Sequence, residues 1–164
     1  MTERLLGWID ALSRWGAYLS ALAMLGVVGL ITVEVGLRTL AQTSTLVADE
    51  YSGYLMVATV FLGLAFTLRT EGHIRISLLT VRLPDAWRRG FDLGATLFAL
   101  ALCLYLFRHM TAMVYDTWQL GMEADSIAET PLYLPQLSML AGLLLLILQL
   151  AAESLRRLLS SPTR

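Results

Sequence analysis

Several residue types that build common functional sites are rare or missing in this chain. Lysine is absent, so all twelve basic residues are arginine, and histidine occurs only twice. Cys103 is the single cysteine, which excludes an internal disulfide and a zinc site built from several thiolates. A metal site using His73 and His109 would therefore also need carboxylates.

Charge is also scarce along the chain. Only 15% of the 164 residues are charged, whereas 57% are hydrophobic and occur in long blocks. A soluble domain of this length lacks the interior volume to bury that many apolar side chains. The composition indicates a membrane protein with a single membrane domain, residues 1–164. Because the arginines flank apolar segments and form no basic patch, no nucleic-acid partner is expected.

Four segments are long enough to cross a bilayer, which takes about 20 apolar residues in a helix. Their approximate ranges are 15–37, 51–68, 93–115 and 131–152. The sequence thus predicts an all-α membrane protein with four transmembrane helices.

The distribution of arginine predicts the orientation of these helices. Arginines lie in the N-terminal segment, in the loop between the second and third spans, and in the C-terminal tail. The loop between the third and fourth spans has none and carries four acidic residues. Since cytoplasmic loops are enriched in arginine and lysine, both termini are predicted to be cytoplasmic.

Two amphipathic segments flank the spans. Apolar residues at helical spacing predict a short surface helix over residues 3–14, leading into the first span. Residues 73–83 are predicted to form an arm helix between the second and third spans. There Ile76 and Leu79 lie on one apolar face, with Arg75 and Arg82 along its edge. The alternative is a cytoplasmic loop that is basic only because of its topology.

Some charged residues lie within the spans. Glu34 precedes Arg38 by four residues, the favoured order for a helical ion pair. This pair is either structural or functional, since an intramembrane carboxylate is costly. Arg108 and His109 lie in the third span, where they either pair with a neighbouring helix or line a proton path. A haem bound by His73 and His109 is disfavoured because the two residues lie at opposite membrane levels.

One stretch resembles a known transporter family. The run VEVGLRTLAQTSTLVADEYSGYLMVATVFLGLAFTLRTEGHIRISLLTVRLP spans Val33 to Pro84. It resembles the small, DctQ-like membrane subunit of tripartite ATP-independent periplasmic (TRAP) transporters. The matching residues are Glu34 and Arg38, Asp49 and Glu50, Arg69 and Gly72, and His73-Ile74-Arg75 through Leu83-Pro84. Ser77 stands where many family members have aspartate.

The resemblance implies a non-catalytic accessory subunit in a bacterial or archaeal inner membrane. Its expected partners are the lipid bilayer, a larger membrane subunit that performs the elevator-type movement, and a periplasmic substrate-binding protein. The solute would be an organic acid or a related small molecule. No cofactor is expected in this chain, and the coupling ion, expected to be Na⁺, would bind the large subunit. The residues expected to contact the partner subunit or the membrane interface are Glu34, Arg38, Asp49, Glu50, Arg69, His73, Arg75, Ile76, Leu79 and Arg82.

Two other functions fit the sequence. A small membrane redox or enzyme subunit would use His73 or His109. A self-sufficient transporter, working as an oligomer, would use Glu34 as its coupling carboxylate.

Overall fold

The computed structural model describes residues 2–70 and 84–159, and these residues form four long α-helices. They are α1 (Thr2–Gly36), α2 (Ala48–Arg69), α3 (Asp85–Gln119) and α4 (Tyr133–Leu159). A π-helical turn, Leu37–Ala41, extends α1 before the loop to α2. The described ranges contain no β-strand, only one isolated antiparallel bridge between Glu123 and Pro131.

All four helices are long and apolar enough to span a membrane, which confirms the all-α, four-span prediction. Two of the helices extend well beyond the predicted spans. α1 and α3 each have 35 residues, about 52 Å at 1.5 Å per residue, against about 30 Å for the hydrocarbon core. The predicted arm helix at 73–83 lies outside the described residues.

The N-terminal segment, predicted to form a short surface helix, is helical. Residues 3–14 are the first part of α1 and continue into the span without a break. Leu6 and Ser13 are buried against the bundle, whereas Leu5, Trp8 and Leu12 are exposed. Leu5, Trp8 and Leu12 thus lie on the outer side of one long helix, and the charged residues Glu3, Arg4 and Arg14 are exposed as well.

The helices pack in a simple order. α2 packs against both α1 and α4, α1 also contacts α4, and α3 packs chiefly on α4. Gly142 allows α4 to approach α2 closely, because a Cβ there would collide with the backbone of Phe61 on α2. Gly16 similarly lies against the carbonyl oxygen of Leu62. Small residues thus bring helix backbones together, as is typical of helices that associate in lipid.

Few of the described side chains are buried in the bundle, and several of the buried ones are polar. One apolar cluster, Cys103 with Leu143, Ile147 and Leu150, joins α3 to α4. Ser13 and Gln149 are polar and almost completely buried, while many leucines and aromatics are exposed. This distribution suits a membrane environment, where apolar side chains gain little by leaving lipid and polar ones gain by pairing inside.

Candidate functional site at the two ends of the bundle

The carboxylate of Glu34 organises the loop between α1 and α2. Glu34 is buried near the end of α1. Its Oε1 accepts hydrogen bonds from Arg38 Nε at 2.6 Å and from Ser44 Oγ at 2.5 Å. Its Oε2 accepts from the Thr45 backbone N–H at 3.0 Å and from Thr45 Oγ1 at 2.5 Å. Both oxygens therefore have two donors each, which satisfies a buried carboxylate.

Two residues of this loop have an unusual backbone conformation. Gln42 and Leu46 both have positive φ angles, 52° and 61°. A leucine in the left-handed region is uncommon, so neighbouring contacts must hold it there. The Ser44 hydroxyl accepts from the Leu46 backbone N–H at 3.1 Å while it donates to Glu34. Glu34 thus holds the loop conformation.

Arg38 also forms a weak ion pair with Asp49 in the first turn of α2. Its Nη2 lies 3.9 Å from Asp49 Oδ2, and the Asp49 side chain is 96% exposed. An exposed pair at that distance contributes little to stability.

Glu50 lies nearby and joins α2 to the loop between α3 and α4. It accepts a 2.7 Å hydrogen bond from Tyr54 Oη. Ser126 from the loop lies beside the carboxylate, yet Ser126 Oγ and Glu50 Oε2 are both buried without a hydrogen bond of good geometry. Thr130 Oγ1 donates to Tyr51 Oη at 3.3 Å, a second polar contact between the loop and α2. These contacts place both loops at one end of the bundle, the Glu34 end.

The opposite end, here called the Asp10 end, has a network that joins three helices. Asp10 on α1 pairs with Arg156 on α4 at 2.8 Å and with Arg69 on α2 at 3.5 Å. Gln149 on α4 donates to Asp10 at 3.4 Å and accepts a 2.8 Å hydrogen bond from Ser13. One carboxylate thus fixes the relative positions of α1, α2 and α4.

A separate contact joins α3 to α4 at this end. Arg157 Nη1 lies 3.5 Å from Asp92 on α3, and its Nε donates to Glu153 on its own helix at 2.9 Å. All four helices are therefore linked by charged side chains near the Asp10 end.

The structure separates the residues predicted from the sequence into three groups. Glu34, Arg38 and Asp49 lie together at the Glu34 end, and Glu50 lies at the same end against the other loop. Arg69 lies at the opposite end in the Asp10 network. His73, Arg75, Ile76, Leu79 and Arg82 lie outside the described residues.

Sequence reasoning missed the other members of the network that contains Arg69. Asp10, Arg156 and Gln149 were not predicted as site residues, although a glutamine inside an apolar run is a usable signal for helix contact. Ser13, Gly16 and Ser20 also fall on one helical face at spacings of three and four. That small, polar face is the one that packs inward, and Ser20 Oγ donates to the Thr59 carbonyl at 2.6 Å.

The described residues do not group three or more histidine, cysteine, aspartate or glutamate side chains in a way that would hold a metal ion. Their charged side chains instead link helices to each other and to loops. The fold and these contacts define a polytopic helical membrane protein whose polar groups hold its helices together.

A family model described as "Tripartite ATP-independent periplasmic transporters, DctQ component" matches residues 27–160. The chain belongs to this family, which is a component of a transporter and not an enzyme. A search of curated proteins gives no match.

Proposed function

We propose that this chain is the accessory scaffold subunit of an ion-coupled TRAP importer and that it braces the larger membrane subunit. The observation that supports the proposal is that the polar side chains of this chain bond to its own helices and loops. Glu34 is fully occupied by loop donors, and Asp10 by donors from α2 and α4. These groups rigidify the bundle, which is what a brace requires.

The geometry of Glu34 argues against a self-sufficient transporter. A coupling carboxylate must exchange its partners for an ion or proton during the cycle. Glu34 instead holds the loop through three donors from Ser44 and Thr45, so a change of its partners would disturb residues 42–47. Ion coupling, with Na⁺ as the expected ion, is therefore assigned to the large subunit.

The proposed orientation follows the arginine distribution. Both termini face the cytoplasm, so the Asp10 end is cytoplasmic and the Glu34 end is periplasmic. The Glu34 end exposes four acidic side chains from the end of α3 and the loop that follows it, Asp116, Glu123, Asp125 and Glu129. We assign to this end a share in docking the periplasmic binding protein, which delivers an organic acid or related solute.

The arm helix at 73–83 completes the proposed brace. His73, Arg75, Ile76, Leu79 and Arg82 would contact the large subunit or the membrane interface. The apolar face of this segment and the arginines along its edge suit a position between lipid and protein.

Reconstitution tests the function directly. The chain, the large subunit and the binding protein are placed together in proteoliposomes, and solute uptake is measured under an inward Na⁺ gradient. Uptake is expected only when all three are present. Uptake by vesicles containing this chain alone would overturn the proposal, and a haem or other cofactor band in the visible spectrum of the purified chain would favour a redox subunit.

A further inference from the structure

Among the described residues, the helix α3 has only one substantial neighbour, α4. The side of α3 that carries Cys103, Phe107 and Met110 packs on α4. Its opposite side is exposed along the whole span. Helices in a membrane protein can face lipid in this way, but the exposed side of α3 is not uniformly apolar.

The exposed residues of α3 follow a regular pattern, here called the α3 seam. The seam consists of Phe91, Gly94, Phe98, Ala101, Tyr105, Arg108, Ala112 and Tyr115, all exposed. Successive members are three and four residues apart in alternation, the spacing of a helix that packs along a second helix. Except at Tyr105 and Arg108, large and small side chains also alternate, which provides knobs and holes for a facing helix. The pattern alone fits either lipid or protein.

Arg108 indicates whether lipid or another protein helix covers the seam. Asp92 pairs with Arg157 at the Asp10 end, and Trp118 lies near Tyr133 at the Glu34 end. Arg108 lies about 24 Å along the helix from Asp92 and about 15 Å from Trp118 at 1.5 Å per residue. It therefore lies within the third predicted span, 93–115, in the half nearer the Glu34 end. Arg108 is exposed, and it makes no hydrogen bond or ion pair with any residue in the described ranges 2–70 and 84–159.

A charged side chain that faces hydrocarbon at this depth is strongly unfavourable, and intramembrane arginines normally pair with a carboxylate or with carbonyls inside protein. His109 also lies on this exposed side, beside the ring of Tyr105 at 4.4 Å. We propose that the α3 seam binds a transmembrane helix of the larger transporter subunit, and that Arg108 pairs with a carboxylate on that helix. This inference rests on the proposed scaffold function.

A second copy of the chain fits the seam less well. In a symmetric dimer formed through α3, each Arg108 would meet the seam of the other copy. None of the eight seam residues is a carboxylate, and the nearby Asp92 lies off the seam and pairs with Arg157, so the two arginines would remain unpaired. The carboxylate that pairs with Arg108 must therefore come from a different chain.

Photo-crosslinking tests which molecule covers the seam. The complex is expressed with a benzoylphenylalanine at Phe98 or at Tyr105, which are 73% and 60% exposed. The matched control is Tyr18 on α1, an aromatic residue that is 66% exposed. The two seam positions are expected to crosslink to a helix of the large subunit more strongly than Tyr18 does. Crosslinks from the seam to lipid only, or to a second copy of this chain, would overturn the inference.

Charge substitution provides the second test. We expect Arg108→Ala and Arg108→Glu to lower recovery of the large subunit in a detergent pull-down by at least about tenfold, because they leave the partner carboxylate unpaired. Arg108→Lys should retain most of the recovery. Arg14→Ala, an exposed arginine on α1, is the control and should have no effect. Normal recovery with Arg108→Glu would contradict the inference.

The two tests separate this inference from the proposed function. If wild-type chain recovers the large subunit but the seam positions do not crosslink to it, the seam assignment is wrong and the scaffold function stands. If wild-type chain recovers no larger membrane protein, both are wrong. Because Arg108 makes no hydrogen bond or ion pair with a described residue, its variants should unfold at the wild-type temperature, so a loss of recovery would report binding and not folding.

Discussion

Ser13 on α1 donates a 2.8 Å hydrogen bond to Gln149 Oε1 on α4, and each residue is only 1% exposed. The two residues lie on different helices and are separated by almost the whole chain, so this contact fixes how α1 and α4 meet. Hydrogen bonds between transmembrane helices contribute modestly, about 0.6 kcal/mol on average and up to about 1.7 kcal/mol. A buried contact that leaves no water access should lie near the upper part of that range.

Ser13→Ala should therefore lower the free energy of unfolding by about 1 kcal/mol, because Gln149 Oε1 loses its donor. Equilibrium unfolding in mixed micelles measures the change. Thr32→Ala is the matched control, since the exposed Thr32 hydroxyl bonds only to the Val28 carbonyl of its own helix. In a double-mutant cycle with Gln149→Leu, strictly additive effects would show that the hydrogen bond contributes nothing.

Asp10→Asn should destabilise the bundle more than the loss of Ser13 does. The change removes the negative charge that faces both Arg69 and Arg156, and hydrogen bonds to charged groups contribute about 1.5–3 kcal/mol. The same unfolding assay measures this change, with the exposed Glu3→Gln as the control on the same helix. A stability equal to that of the Glu3 variant would mean that the Asp10 network does not hold the helices together.

Glu34→Ala should loosen the loop at residues 42–47. The substitution leaves the donors from Ser44 and Thr45 without their acceptor, and the left-handed backbone at Leu46 then loses its support. Hydrogen exchange at 42–47 is expected to rise. Asp49→Asn is the control, because Asp49 is exposed and only 3.9 Å from Arg38. Equal exchange in the two variants would contradict the structural role of Glu34.

Gly142→Ala should force α2 and α4 apart, because the added Cβ meets the backbone of Phe61. Overpacking of this kind costs about 1–3 kcal/mol, which thermal unfolding would detect as a lower Tm. Gly53→Ala is the control, since a Cβ at Gly53 meets nothing within 4 Å and alanine favours the helix. If both variants kept the wild-type Tm, the contact between Gly142 and Phe61 would not limit how closely α2 and α4 pack.

The arm segment yields a prediction about assembly. The double substitution Ile76→Asp with Leu79→Asp, or the single Arg75→Glu, should reduce recovery of the large subunit while membrane insertion stays unchanged. The reason is that an arm between lipid and protein uses its apolar and basic faces for contact. Recovery is measured by pull-down, and insertion by the amount of the chain in washed membranes. Arg4→Glu serves as a charge-matched control. A fall in insertion equal to the fall in recovery would assign these residues to the bilayer alone.

The sequence by itself determined the number of spans and the local ion pair. A span is recognised from about 20 consecutive apolar residues, a property of one segment that needs no knowledge of its neighbours. The pair between Glu34 and Arg38 is equally local, because residues four apart in a helix always lie side by side. The family resemblance also rested on a contiguous run, Val33 to Pro84.

Only the tertiary structure decided which helices are neighbours and which side chains meet. Asp10 and Arg156 are 146 residues apart, and no periodicity in the sequence pairs them. The apolar faces of the helices do not select partners, because in lipid one apolar surface is as well accommodated as another. Close approach at Gly16 and Gly142, together with a few buried polar pairs, selected the packing, and this left the α3 seam with Arg108 exposed on the outside of the bundle.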